Sequence, residues 1–308
     1  MPSRQPGARE AEIKRDSPAG ARFSAAGLVV ASAFSAQLGA ALVVRLFAIA
    51  SPATAAFIRN LVGAAALMVL LALRRGTLRG VSVRAVLALG VILGVMNASF
   101  YYGIARLPLG DAVSVEFMGP IVVAALTSAA RRDLIWVALA ALGVVAISHP
   151  GPDHLSYAGL GFILTAAACW GAYIVVGGRV ATGGRRAETL AAAMTASAAL
   201  LLLPALTQSA PSLLNPAFLG LGAAVGILSS AIPYSVELVA MARVPPTVFG
   251  VLLSLQPLMA AVMGFLVLGQ RVSALEAIGF VLVVSASIGA TLLAVPGKTV
   301  VPEPVAAV

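Results

Sequence analysis

The chain is 308 residues long, 60% hydrophobic and 10% charged, with 20 Lys and Arg against 11 Asp and Glu and a net charge of +9. Soluble domains carry about 25% charged residues, so this composition excludes an ordinary soluble fold and places most of the chain in lipid. The single cysteine, Cys169, lies in an apolar run and excludes an internal disulfide and a thiolate metal cluster.

From the N-terminus, residues 1–23 are charged and contain Pro and Gly, and the apolar run behind them is too long for a cleaved signal peptide. They read as a disordered cytoplasmic tail. A helix needs about 20 apolar residues to cross the hydrocarbon core. Ten such segments follow at 24–44, 52–73, 84–104, 109–129, 134–149, 156–177, 188–207, 216–241, 247–268 and 273–294, before a second cytoplasmic tail at 296–308. Only helices and closed barrels satisfy every backbone group in lipid, and these segments lack the alternation of barrel strands. The expected fold class is an all-α membrane protein of ten transmembrane helices. The turn HPGPDH after span five holds both histidines, His149 and His154. A metal site needs three or four converging ligands, so none is expected.

Cytoplasmic loops carry the excess of Lys and Arg in membrane proteins. With the N-terminus inside, 16 of the 20 basic residues fall on cytoplasmic segments, notably Arg74, Arg75, Arg131, Arg132, Arg185 and Arg186. Arg45, Arg106 and Arg271 mark external ends, and Arg59 lies within span two. The expected location is the bacterial inner membrane, multi-pass, with both termini cytoplasmic. Because the positive charge is a topology signal, the lipid bilayer is the expected partner and nucleic acid is not; the pattern leaves the oligomeric state open.

Sliding the second half back by 132 residues superposes an internal repeat. Gly39-Ala40 falls on Gly171-Ala172, Gly90 and Gly94 on Gly222 and Gly226, and Tyr102 on Tyr234. At an offset of 137, Ala105-Arg106-x-Pro108 meets Ala242-Arg243-x-Pro245 and Pro120 meets Pro257. The expected domains are a first five-helix repeat at 24–150 and a second at 151–295. Five is odd, so the halves would lie in opposite orientations. Inverted repeats characterise secondary transporters, where a site between similar halves opens to each side in turn. Duplication into a scaffold without transport is the alternative.

Three segments carry a resemblance: NASFYYGIARLPLGD from Asn97 to Asp111, EFMGP from Glu116 to Pro120, and IPYSVE from Ile232 to Glu237. They are similar to those of EamA-type transporters of the drug/metabolite transporter superfamily, and within it to the bacterial threonine/homoserine exporters. The likeness runs from about residue 24 to 294. It implies secondary active export of small neutral amino acids, threonine and homoserine above all. It further implies antiport driven by a coupling proton, with no other cofactor. The chain departs from the pattern before span ten, where Gly269-Gln270-Arg271 stands in place of the usual Gly-Glu. If that acid gates its relatives, this chain gates differently.

An ionisable group at membrane depth is by default a functional candidate with a partner to be named. Arg59, Glu116 and Glu237 qualify. Arg59 and Glu116 each lie seven residues into a span that enters from outside, roughly 10 Å deep at about 1.5 Å per residue. The same depth allows them to pair. A neutral amino acid carries a carboxylate and an ammonium, and an arginine fork suits the carboxylate. Arg59 is therefore the candidate carboxylate anchor, and Glu116 the candidate site for the ammonium or the coupling proton. A structural ion pair between spans two and four is the alternative, as is snorkelling of Arg59 to the outer interface. Glu237, near the inner end of span eight, is a site residue or an interfacial one.

Gln37, Asn97, Tyr101, Tyr102, Tyr234 and Gln256 carry hydrogen-bonding groups that are costly against lipid and are expected to face inward. For the tyrosines, packing or interfacial anchoring is the competing role. Trp170 and Tyr173 are candidates to wall the cavity. Pro120 and Pro257 are candidate hinges for alternating access, or static bends. The two Gly-x-x-x-Gly pairs point to close helix packing. No His-Glu-x-x-His, Gly-x-Ser-x-Gly or P-loop pattern is present, so an enzyme is not expected. A channel would show rings of charge or carbonyls on an axis. Within the carriers, another small metabolite or a drug-like amphipathic compound is the alternative substrate.

Overall fold

The computed structural model describes residues 18–127, 134–147, 156–181, 185–233, 236 and 253–293. Among them the regular structure is helical throughout. The helices are α1 (Pro18–Leu46), α2 (Pro52–Leu73), α3 (Val83–Ile104), α4a (Leu109–Glu116), α4b (Met118–Thr127) and α5 (Leu134–Ile147). They continue with α6 (Tyr157–Ala181), α7 (Arg186–Ser209), α8 (Pro216–Gly226, running into a π turn at Ile227–Ala231), α9 (Gln256–Leu268) and α10 (Ala274–Leu293). Five stretches are long and apolar enough to span a membrane: Gly27–Leu46, Pro52–Leu73, Val83–Ile104, Tyr157–Gly177 and Arg186–Leu214. Leu134–Ile147, Pro216–Ala231, Gln256–Leu268 and Ala274–Gly289 are shorter apolar helices. The protein is a multi-pass membrane protein.

Local chemistry sets the helix limits. Pro52 and Pro216 open α2 and α8, where a missing N–H costs nothing. The side chains of Ser51 and Asn215 accept from the N–H of Thr54 at 3.2 Å and of Ala217 at 2.9 Å. Ser273 and Glu276 cap each other's N–H groups at the start of α10. α9 stops at Gly269, whose φ of 68° is open to glycine and strained for other residues.

Three limits differ from expectation. The first helix begins at Pro18, inside the segment read as tail. Span four is two helices with a turn at Phe117, because Pro120 has no N–H for the Glu116 carbonyl four residues back. Pro257 lies in the first turn of α9, just after a turn at Ser254 and Leu255, and so starts a helix rather than bending one.

α2 packs on α7, α4a on α9 and α5 on α10. Other contacts correspond. α3 lies across α6 and α7 as α8 lies across α1 and α2, and α9 lies on α1 as α4a and α4b lie on α6. Glycines allow the closest approaches. A Cβ on Gly90 would lie 2.7 Å from Ala196 of α7, and one on Gly222 would lie 2.9 Å from Ile58 of α2. Gly143 and Gly279 meet backbone to backbone where α5 crosses α10.

At one end of the bundle, Arg45 of α1 donates to the Val267 carbonyl at 2.9 Å, and the Leu109 N–H donates to Gln270 Oε1 at 3.1 Å. At the opposite end Arg185 donates to the carbonyls of Thr77 and Arg79, tying the α2–α3 loop to the start of α7.

Candidate functional site: a buried polar layer around Arg59

Arg59 is on the second turn of α2, whose main neighbours are α7, α8 and α3. Its Nη1 donates to Asn97 Oδ1 of α3, and its Nη2 donates to the Ser229 carbonyl of α8 at 3.2 Å. The guanidinium lies 5.7 Å from the centre of the Tyr101 ring, one turn beyond Asn97. Asn97 Nδ2 donates to Asn60 Oδ1 at 3.0 Å, and Asn60 Nδ2 to Ser197 Oγ of α7 at 2.7 Å. Asn60 and Ser197 have no exposed surface and Asn97 has 2%. Arg59 Nε is buried with no hydrogen-bond partner among the described residues.

The Ser229 carbonyl lies within the π turn of α8. A regular helix uses each carbonyl for the N–H four residues on, and a π turn shifts that pattern by one residue. Here the carbonyls of Leu228 and Ser229 accept from other helices, from Ser35 Oγ at 2.9 Å and from Arg59. On the α1–α9 seam, Gln37 Nε2 donates to Gln256 Oε1 at 3.2 Å, while Gln37 Oε1 is buried without a partner among the described residues.

Glu116 ends α4a at the Phe117 turn and is half-buried. The Arg59 charge acts on it, yet no hydrogen bond joins the two. Arg59 instead takes partners from the helices that pack on α2. Beside Glu116, the Phe117 ring meets Trp170 edge to face at 4.8 Å between centres. Tyr173, one turn along α6, packs against the cluster of Ala64, Leu67, Leu89 and Leu93. Pro120 is half-buried and Pro257 buried.

Tyr102 does not face this layer. Its hydroxyl donates to Gln208 at 2.7 Å, and its ring stacks on Phe162 at 5.1 Å with Arg106 over both rings. Successive helical residues are about 100° apart, so a helix that turns Asn97 and Tyr101 inward turns Tyr102 aside. Tyr234, Glu237, His149 and His154 lie outside the described residues.

Asn60, Ser197 and Ser229 belong to the layer and were not singled out by sequence. An amide inside an apolar span is costly unless paired, so Asn60 could have been found beside Arg59. The serines could not, because a helical serine can satisfy itself on the carbonyl four residues back.

Fold and site define a helical membrane protein with a charged polar layer at membrane depth. The model of the EamA-like transporter family matches residues 157–292. The threonine/homoserine exporter RhtA of Escherichia coli (strain K12) is 39% identical over 206 residues, 66% of this chain and 69% of that protein. RhtA of Salmonella typhimurium (strain SL1344) is 38% identical over the same shares. One solved crystal structure superposes with a TM-score of 0.63 at 18% identity, covering 88% of this chain and 98% of its own, a likeness of fold alone. The chain belongs to the EamA-like transporter family; it is a transporter and not an enzyme.

Proposed function

We propose that this protein exports small neutral amino acids of the threonine and homoserine type from the cytoplasm, by alternating access coupled to protons. The carrying observation is unfilled hydrogen-bonding capacity inside the bundle. Among the described residues, Arg59 Nε is a buried donor and Gln37 Oε1 a buried acceptor, each without a partner. A zwitterion supplies what each lacks: a carboxylate for the guanidinium and an ammonium for acceptor oxygens, Glu116 among them. The resemblance to amino-acid exporters supports the same substrate class.

Alternating access rests on two five-helix halves, 24–150 and 151–295, in opposite orientations. Matched packing supports this, since α3 meets α7 through Gly90 and Gly94 as α8 meets α2 through Gly222 and Gly226. The turns at Phe117 and at Ser254–Leu255 fall at corresponding places in spans four and nine and are the hinges. Basic loops on the N-terminal side put both termini in the cytoplasm. Glu116 carries the proton.

Proteoliposomes test the reading through counterflow of radiolabelled threonine and homoserine, with and without an imposed pH gradient, beside Glu116→Gln. Saturable flux that the gradient accelerates and the variant loses is the expected result. Flux of neither amino acid by folded protein overturns the substrate class. Flux indifferent to the gradient overturns proton coupling, and wild-type flux in the variant removes Glu116 from the mechanism.

A further inference from the structure

We infer that Asn60, backed by Ser197, is a positioning residue that locks the Asn97 amide with its oxygen toward Arg59, and so fixes which edge of the guanidinium is left for the substrate carboxylate. This deepens the proposed function, resting on Arg59 as the carboxylate anchor.

The polarity of the chain of hydrogen bonds carries the inference. Arginine has only donors, so Asn97 can bond it only through Oδ1. That leaves Asn97 Nδ2 as a donor, and Asn60 Oδ1 receives it at 3.0 Å. Asn60 is thereby oriented in turn, with Nδ2 toward Ser197 Oγ at 2.7 Å. The hydroxyl accepts that bond and keeps its own proton free to donate. An Asn97 flipped about its amide would set N–H against N–H at Arg59 and oxygen against oxygen at Asn60. With no exposed surface on Asn60 and Ser197, no solvent relieves either clash, and a buried polar group left unpaired is costly.

Three helices contribute one link each beyond Arg59: α3 supplies Asn97, α2 Asn60 and α7 Ser197. Gly90 and Gly94 bring α3 close enough to α7 for the chain to close; a Cβ on Gly94 would sit 3.4 Å from Ser197 Oγ. Asn97 and the Ser229 carbonyl then hold both terminal nitrogens of Arg59. Nε remains as the unfilled buried donor.

The test uses full-length protein carrying isotope-labelled arginine in detergent micelles, with the Arg59 side-chain resonances assigned by their loss in Arg59→Lys. Wild-type protein is expected to show separate Nη resonances, because rotation of a guanidinium held at both ends is hindered. Asn60→Leu is expected to merge them. Asn60→Asp is expected to keep them apart, since a carboxylate accepts from Asn97 and from the Ser197 hydroxyl. Separate Nη resonances in Asn60→Leu, with the other arginine signals unchanged, overturn the inference.

Threonine counterflow gives a second readout. Asn60→Leu is expected to raise KM about tenfold with Vmax within about twofold, and Asn60→Asp to restore KM. A merely structural role lowers Vmax at constant KM, and that result also overturns the inference. Absence of wild-type threonine flux counts against the substrate class alone, because the resonances still decide the positioning role.

Discussion

Along α3, Gly90 and Gly94 face α7 and Asn97 follows; along α8, Gly222 and Gly226 face α2 and Ser229 follows at the same interval. Both sequels reach Arg59, Asn97 with a side-chain oxygen and Ser229 with its backbone carbonyl. α3 is a regular helix and reaches Arg59 with a side chain. α8 widens into a π turn, where the Ser229 carbonyl takes the bond and the Ser229 hydroxyl is buried with no partner among the described residues. Glycine spacing thus sets how near two helices come, and the residue one turn on sets what the contact does.

Arg59 is where the two seams meet, so its loss should have the largest effect. Arg59→Leu removes two hydrogen bonds from a charged donor as well as the proposed carboxylate contact. We expect counterflow at background, a loss of about a hundredfold or more. Near-normal flux in that variant would separate the polar layer from transport altogether.

The seams should then diverge under side-chain removal. Asn97→Ala deletes the link itself and is expected to raise KM about tenfold, whereas Ser229→Ala leaves the backbone carbonyl in place and should keep KM within about twofold. Equal effects of the two substitutions would break the contrast between side-chain and backbone chemistry.

Packing offers a finer distinction. A Cβ at Gly226 meets Val62 Cβ at 2.5 Å and the Arg59 carbonyl at 3.3 Å, neither of which can yield. One at Gly94 meets the end of the Leu200 side chain at 2.9 Å, which can turn away. Thermal melting in detergent should show Gly226→Ala destabilised by about 1–3 kcal/mol and Gly94→Ala by less than about 1 kcal/mol. The reverse order would mean that α8 shifts more readily than α3. Outside both seams, Gln270→Ala removes the side chain that receives the Leu109 N–H and should cost about 1 kcal/mol of stability without changing KM.

Much of this molecule follows from local sequence. Apolar segments of spanning length, Pro52 and Pro216 at helix starts, Gly269 at a helix end and an arginine inside span two are properties of short stretches. Lipid judges each stretch by its own transfer free energy. The internal offset of 132 residues also placed Ser229 opposite Asn97, although nothing in the sequence said that both would address one arginine.

Partners were another matter. Equal depth allowed Arg59 to pair with Glu116, but α2 packs on α3, α7 and α8, so Asn97 and the Ser229 carbonyl hold the guanidinium. Tyr101 and Tyr102 read alike as polar aromatics, and the rotation of α3 sends them to different surroundings. The break at Phe117 was implied by Pro120, whereas the π turn at Ile227–Ala231 had no residue to announce it. The sequence determined which segments are apolar enough for a membrane and which polar groups lie within them. The tertiary structure decided who bonds to whom, because those choices depend on distances between helices that no sum over neighbouring residues contains.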